Sequence, residues 1–478
     1  MAHRELYIDG HFYGSLCDHE IGKHAVVSAY TGKNIGSVAE AGWGEVKAAV
    51  EAAESAFKTW QHSTVRERTQ VLRSVAKTVR ENRQELGETM CQEVGKPITM
   101  ALAEVDRMAL SFDLAANLLT QPIGEVLPAS YDARGDKVRI SVERFPVGPV
   151  FGIAPYNWPY NLAAQKIAPA IAAGCTITLK GSPMAALSTL FLGRIMHEAG
   201  VPAGVVNIIH CEAILAEKAI KHPAVEMVSF TGSPGVGWHI KSVVNQKRVL
   251  LELGGDASAL VMPSADLPKV ADACARSAFG YAGQVCISLQ HVWLHEDIYE
   301  DGLKEIVKVT ESLGFGDPMD EKTWCGPLIN TDAADRVMSW IEEAENGGAE
   351  IASGGSRMGN VIEPTVIVNA PTDSKLCTEE VFGPVMVVHK VKSLAEGIER
   401  VNASKYGIHA AIFTESMREA DLAYRELKVA GVIVNAAPNL RFDNMPYGGE
   451  KMSGVGREGI ASAYKEMTFE KVNLVNLG

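Results

Sequence analysis

The 478-residue sequence has no surplus of basic residues: 58 acidic side chains against 45 Lys and Arg leave a formal net charge of −13. Such a chain repels a phosphate backbone or an anionic membrane surface on average, which sets aside nucleic acid and membrane as partners while leaving room for a local basic pocket. It also lacks an apolar run of membrane length. The stretch "IAPAIAAGCTITL", between Lys166 and Lys180, falls well short of the ~20 residues a spanning helix needs, and Pro169 and Gly174 interrupt it. The opening "MAHRELYIDG" has no apolar segment of the secretory kind, so a cytoplasmic location is expected. None of the eight cysteines forms a C-x-x-C pair, which removes a zinc ribbon and a thioredoxin-like centre; no metal is expected. Scattered thiols of this kind read as reduced and mostly buried. Repeats and low-complexity tracts are missing too, so a solenoid is excluded.

What is present is alternation. Residues 44–118 carry apolar side chains at spacings of three and four with charges between, a helical pattern. "DKVRISVERFPVGPVFGIAP" then switches to period two and β-branched residues. Beyond it the short apolar strands "PVFGIAP", "CTITLK", "VVNIIH" and "VEMVSF" are separated by helical stretches at 160–173, 184–199 and 213–221. A second series runs from "ASALVMP" through "HVWLH" and "AAIFT" to "GVIVN". The fold class is therefore α/β, with two domains built on doubly wound parallel sheets.

Three places invite chemistry. In "FGYAGQVCIS", Gly280, Ala282 and Gly283 precede Cys286, and small residues leave room beside a thiol. "VSFTGSPGVGWHI" sets a strand before Gly232, Gly235 and Gly237 and a helix after them, which suits a pyrophosphate as well as it suits a tight turn. Glu252, in "VLLELGG", stands twenty positions after Gly232. By spacing alone it is a ribose ligand, a catalytic base beside the opening made by Gly254 and Gly255, or a strand-end carboxylate in an ion pair.

Taken in order, "APYNWPYNL", "TLKGSPMAALS", "FTGSPGVG", "LELGG", "GQVC", "EEVFGPV" and "MPYGGEKMSGVGREG" resemble the motifs of the NAD(P)-dependent aldehyde dehydrogenase superfamily, and the resemblance extends from "YIDG" to "FEKVNLVN". It implies a Rossmann-like cofactor domain (residues 1–125 and 144–253), an α/β catalytic domain (254–445) and a small β oligomerisation arm (126–143 and 464–478). Exposed strand edges in such an arm need a partner, so a homodimer or homotetramer is expected. The resemblance makes Cys286 the nucleophile, with the Asn157 amide and the Cys286 backbone N–H as oxyanion donors and Glu252 as the base that activates water on a thioester. Lys180 matches the lysine on the adenosine ribose, Glu380 the carboxylate on the nicotinamide ribose, and Phe382 the ring beside the nicotinamide. Gly232 and Ser233 match the pyrophosphate turn, and Ile153 and Gly254 complete the cofactor set. One departure concerns the place three residues after Lys180, where NAD-preferring members often carry glutamate and this chain has Pro183. Loss of that carboxylate removes repulsion against a 2′-phosphate, with Lys180 and Ser182 as donors, so the cofactor is NADP or NAD.

Arg107 and Arg441 fall at places that resemble those where members acting on anionic aldehydes hold the tail, and guanidinium groups pair with such tails bidentately; a surface or interdomain salt bridge is the other reading of each. Trp158 is expected to line the same tunnel. Members that grip phosphate commonly have arginine before the nucleophile; here Val285 stands there. The expected substrate is a small anionic or hydroxylated aldehyde, such as a semialdehyde, a sulfo-aldehyde or a lactaldehyde-like compound, with glyceraldehyde 3-phosphate as an alternative. A CoA-acylating semialdehyde dehydrogenase is the runner-up, opposed by the presence of Glu252. A retired enzyme keeping only the fold is opposed by the retention of Cys286, Glu252 and Asn157. His409, in the apolar "YGIHAAIF", reads as a packed histidine, Cys175 as a buried strand residue, and the remaining cysteines as structural.

Overall fold

The computed structural model describes residues 2–15, 21–121 and 124–478; Cys17, one of the thiols read as structural, lies outside them. Near the N-terminus, strands β1 (Leu6–Ile8), β2 (His11–Tyr13), β3 (Gly22–Val27) and β4 (Asn34–Glu40) precede four helices, Trp43–Trp60, Val65–Glu81, Arg83–Val94 and Ile98–Leu118. These helices account for the helical pattern over 44–118. Their breaks follow local chemistry. Thr64 and Glu67 form a reciprocal cap that starts the second helix, and Gly95, at φ +69°, ends the third in a left-handed turn.

The first sheet is built on five parallel strands, β6 (Val150–Ile153), β7 (Ile177–Lys180), β8 (Val206–Ile209), β9 (Met227–Thr231) and β10 (Arg248–Glu252); a long strand, β5 (Val138–Pro146), precedes them. β7 and β8 are buried along their whole length, as a parallel sheet covered on both faces requires. The spatial order is Gly454–Val455, β10, β9, β6, β7, β8, β1, β2. The chain thus steps from β6 outward to β8 and then returns to the other side of β6 to lay down β9 and β10. In open α/β sheets the crevice at the carboxyl ends beside such a reversal is where ligands bind. Ile153, Lys180, Thr231 and Glu252 end their strands in one row, Ile153 being paired with Lys180 and Phe230, and Thr231 with Glu252.

Only residues 253–256 separate β10 from β11 (Ala257–Val261), which opens the second sheet. β12 (Leu289–His295), β13 (Thr365–Val368), β14 (Val385–Val391), β15 (His409–Phe413) and β16 (Gly431–Val434) join it in the order β13, β14, β12, β11, β15, β16, all parallel, with Glu350–Ser353 antiparallel at one edge. After β16 the chain goes back: Gly454–Val455 joins the edge of the first sheet, and Ile460 and Tyr464 of helix Ile460–Glu466 enter that sheet's core. Strand β17 (Thr468–Asn476) pairs antiparallel with β5 from Thr468 opposite Pro146 to Asn476 opposite Val138, and Glu125–Leu127 flanks it. Val126, Val472 and Leu474 point out of this ribbon with 69%, 62% and 59% of their surface exposed. Cys175 is buried but sits two residues ahead of β7 rather than in it, its thiol donating to the Met467 carbonyl. No helix among the described residues is long and apolar enough to cross a membrane.

One buried ion pair ties the helices to the loops that follow. Glu104, in helix Ile98–Leu118, accepts the backbone N–H groups of Tyr160 (2.9 Å) and Asn161 (3.0 Å) at the start of helix Asn161–Ala173. Its carboxylate also pairs with Lys96, both side chains being shut off from solvent. The Lys96 ammonium lies 3.7 Å from the Trp158 ring centre and 4.7 Å from that of Tyr281. Glu104→Ala would leave a buried ammonium and two buried N–H groups without partners. The expected cost is about 3–5 kcal/mol, read as a lower urea midpoint; an unchanged midpoint would refute the role.

Candidate active site

Cys286 follows helix Leu267–Phe279 through a turn in which Tyr281 (φ 54°), Ala282 (φ 52°) and Gly283 (φ 68°) are all left-handed. Two non-glycine residues in that region store strain of order 1–3 kcal/mol each. The small residues therefore do more than leave a passage, which corrects the expectation. Gly280 lines a cavity, but Ala282 is packed in the core, and a Cβ on Gly283 would land 2.2 Å from the Gly383 carbonyl. Gln284, fully buried, locks the turn. Its amide donates to the Tyr281 and Pro327 carbonyls (3.3 and 3.2 Å), and its oxygen accepts from the Ile329 N–H (2.9 Å).

The Cys286 sulfur opens onto a cavity of about 200 Å³ and lies 2.7 Å from the Tyr447 hydroxyl. Burial pushes its thiol up to about 12; the Tyr447 hydrogen bond and Arg441 pull it down, while Glu380 and Glu252 push it up. At neutral pH the resting sulfur is consequently protonated. The Arg441 guanidinium stacks 3.6 Å from the Tyr447 ring centre, and its Nε and Nη2 are buried without hydrogen-bond partners among the described residues.

Asn157 is buried and donates one amide N–H to the Gln284 carbonyl (2.8 Å), which leaves the other N–H uncommitted. The backbone N–H of Cys286 has no partner among the described residues. Glu252 is buried at the end of β10. Its Oε1 accepts the Glu458 N–H (3.3 Å), and its Oε2 has no hydrogen-bond partner among the described residues. Burial, then the neighbouring Glu458 carboxylate, raises its pKa well above the usual range; Arg441 and Lys166 oppose that shift. Glu458 itself accepts from Lys166 (2.7 Å) and lies 3.9 Å from Arg441. Two carboxylates and two cations thus share one dry compartment.

The crevice at the strand ends carries features that suit a dinucleotide. Helix Pro234–Val243 starts at Ser233, whose hydroxyl caps nothing, so its first N–H groups face outward for an anion. Gly235 is open, whereas a Cβ on Gly232 would strike the Phe230 ring at 2.6 Å. A Cβ on Gly254 would meet the Glu380 carboxylate at 2.3 Å, and the Gly255 N–H donates to that carboxylate at 3.0 Å. Burial raises Glu380 to about 7. Phe382 is held at φ 45° with its ring edge-on to Tyr156. Lys180 is buried at the end of β7 beside Ile153, and Ser182 caps the short turn Pro183–Ala185. A glycine-lined path with an ammonium on one side and a carboxyl on the other fits such a cofactor.

Arg107 and Trp158 also line the cavity. Arg107, however, is already held bidentately by Asp443 (2.9 and 3.1 Å), so it forms a wall rather than a free anion clamp. His409 is buried, its Nδ1 2.8 Å from the Pro438 carbonyl oxygen. Tyr447, Glu458, Lys166, Gln284 and Asp443 shape the site without having been singled out in the sequence. The signal for the first two lay inside "MPYGGEKMSGVGREG".

Comparison with known proteins shows which family the chain resembles over nearly its whole length. The model of the aldehyde dehydrogenase family matches residues 17–473. A 3-sulfolactaldehyde dehydrogenase of Priestia aryabhattai is 38% identical over 457 residues, 95% of each chain. The crystal structure of aldehyde dehydrogenase 21 from Physcomitrella patens, in complex with the reaction product succinate, is 33% identical with a TM-score of 0.95, covering 99% of this chain and 98% of that one. The NADP-dependent glyceraldehyde-3-phosphate dehydrogenase of Bacillus halodurans C-125, complexed with NADP, is 31% identical with a TM-score of 0.96 over 100% of both chains.

The 2.7 Å contact between sulfur and phenol yields a direct expectation. A hydrogen bond to a charged group contributes about 1.5–3 kcal/mol, so Tyr447→Phe should slow iodoacetamide alkylation of Cys286 roughly 10- to 100-fold near neutral pH. Mass spectrometry of the Cys286 peptide gives the rate, and equal rates in parent and variant would exclude the phenol as a support for the thiolate.

Proposed function

The chain belongs to the aldehyde dehydrogenase family, and on that premise we propose that it oxidises a short anionic or hydroxylated aldehyde to its carboxylic acid with NADP or NAD. The observation that carries the substrate class is Arg441: a buried guanidinium lining the cavity that holds Cys286, its Nε and Nη2 making no hydrogen bond among the described residues and its nearest ion-pair partner, Glu458, 3.9 Å away. A charge so placed costs free energy unless a ligand completes it. The cavity volume of about 200 Å³ lies below the 300–1,000 Å³ of pockets for drug-sized ligands, which favours a substrate of few carbons. The similar enzymes named above act on, or yield, short molecules with sulfonate, carboxylate or phosphate tails, which supports the same reading.

The chemistry follows from the residues. Cys286 releases its thiol proton to solvent and attacks the carbonyl carbon as the thiolate; the oxyanion of the resulting thiohemiacetal takes hydrogen bonds from the second Asn157 amide N–H and the Cys286 N–H. The dinucleotide, when bound, supplies the hydride acceptor; Lys180, Gly232, Ser233, Gly254, Glu380 and Phe382 would hold it. Hydride loss leaves a thioester on Cys286. Glu252 then takes a proton from water, whose oxygen attacks the thioester carbon and releases the acid and the thiolate. A carboxylate raised by burial is suited to that transfer near neutral pH. The Pro183 turn beside Lys180 leaves space and no negative charge for a 2′-phosphate, so NADP is the favoured form.

The two-sided β5–β17 ribbon, with its exposed Val472 and Leu474, supports a homodimer or homotetramer. The described cysteines are all unpaired, which supports a cytoplasmic setting.

Initial rates over aldehydes with neutral, carboxylate, sulfonate and phosphate tails, each with NAD and NADP and without coenzyme A, test the reaction. Turnover without coenzyme A and lower KM for anionic tails are expected; a strict need for coenzyme A would overturn the hydrolytic route. Arg441→Met should raise KM for the anionic series by ~10-fold or more relative to a neutral lactaldehyde. In light scattering, the double variant Val472→Asp with Leu474→Asp should fall to a smaller particle mass, whereas an unchanged mass would remove the arm from the assembly.

A further inference from the structure

We propose that His24, Glu40 and His210 form a site for a divalent transition-metal ion of the kind that favours imidazole and carboxylate together, such as Zn²⁺, Co²⁺ or Ni²⁺. No motif spacing links these residues; the fold assembles them. In the β3–β4 hairpin His24 lies opposite Val38 and Gly22 opposite Glu40, so side-chain alternation puts His24 and Glu40 on one face. His210 follows β8, and its carbonyl accepts the N–H of Ala41, the residue after Glu40, at 2.8 Å. That bond brings the His210 ring against the hairpin, 5.0 Å from the His24 ring centre and inclined at 53°. His210 Nε2 is 3.8 Å from Glu40 Oε1, and one ligand atom from each of the three residues lies within 4.8 Å of the others. A tetrahedral ion with bonds of ~2.0–2.2 Å holds its donors about 3.4 Å apart. Small side-chain rotations suffice to reach that spacing.

A second, independent observation points to a ligand. His210 is 2% exposed, yet neither ring nitrogen has a hydrogen-bond partner among the described residues. Leaving a buried polar group unpaired costs about 1–3 kcal/mol, and a bond to a metal removes that cost. His24 is part-exposed and borders a cleft of about 410 Å³, which gives an ion a route in from solvent. Two neutral imidazoles and one carboxylate leave a fourth position for water. Lys180, close enough to repel a charge on His210, opposes occupancy, which makes this a site of moderate rather than extreme affinity.

Cobalt titration of the untagged full-length chain tests the site. Expected is one tightly held equivalent with visible d–d bands and no thiolate-to-cobalt charge-transfer band, which separates it from binding at Cys286. His24→Ala and Glu40→Gln should each weaken that equivalent by ~10-fold or more, while far-ultraviolet circular dichroism stays that of the parent. If His24→Ala does not fold, Glu40→Gln, at the part-exposed end of β4, carries the test. Absence of binding in the parent, equal affinity in the folded variants, or a charge-transfer band would each overturn the assignment.

Discussion

The catalytic geometry depends on a carboxylate that takes no part in the chemistry. Glu104 collects the first N–H groups of helix Asn161–Ala173 and holds Lys96 between the faces of Trp158 and Tyr281. One of those rings belongs to the loop that carries Asn157, the other to the left-handed turn that leads to Cys286. Two segments more than a hundred positions apart in sequence are thus fixed to one buried charge pair. Strain in the turn at Tyr281 and Ala282 is sustainable only because the surroundings over-determine it, and Gln284 supplies the remaining hydrogen bonds.

Electrostatics divides the site into a resting and a working condition. Burial keeps the Cys286 thiol and the Glu252 carboxyl on the protonated side of their ordinary behaviour, and each is surrounded by charges that pull both ways. Arg441 touches both balances. Its charge favours the Cys286 thiolate and the Glu252 carboxylate alike. An anion paired with Arg441 would draw off part of that support from both groups at once.

Most of the frame was legible in the sequence. The alternation of "PVFGIAP", "CTITLK", "VVNIIH" and "VEMVSF" gave the parallel sheet because buried parallel strands read as continuous apolar runs. Cys286, Asn157 and Glu252 stood in ordered motifs; in the structure Asn157 bonds to the Gln284 carbonyl, two residues before Cys286, and Glu252 is near enough to push the Cys286 thiol up. Other features were hidden for physical reasons. The bond between Cys286 and Tyr447 joins positions 161 apart, and periodicity carries no information about such pairs. Arg107 could be read either as an anion clamp or as half of a salt bridge, and the sequence could not choose because its partner Asp443 lies 336 positions away. The small residues before the nucleophile suggested empty space, while their main service is a backbone conformation that composition does not reveal. His24 and Glu40 come from two strands and His210 from the residue after a third, and only register and topology make them neighbours.

The chain's return to the first sheet at Gly454–Val455 has a mechanical meaning. The segment bearing Arg441 and Tyr447 leaves β16 of the second sheet and ends as an edge strand hydrogen-bonded to β10, beside Glu252. With residues 253–256 it makes two crossings between the sheets, and both meet at Glu252. Any hinge between the sheets would therefore have to bend at both crossings together, with Glu252 at its axis.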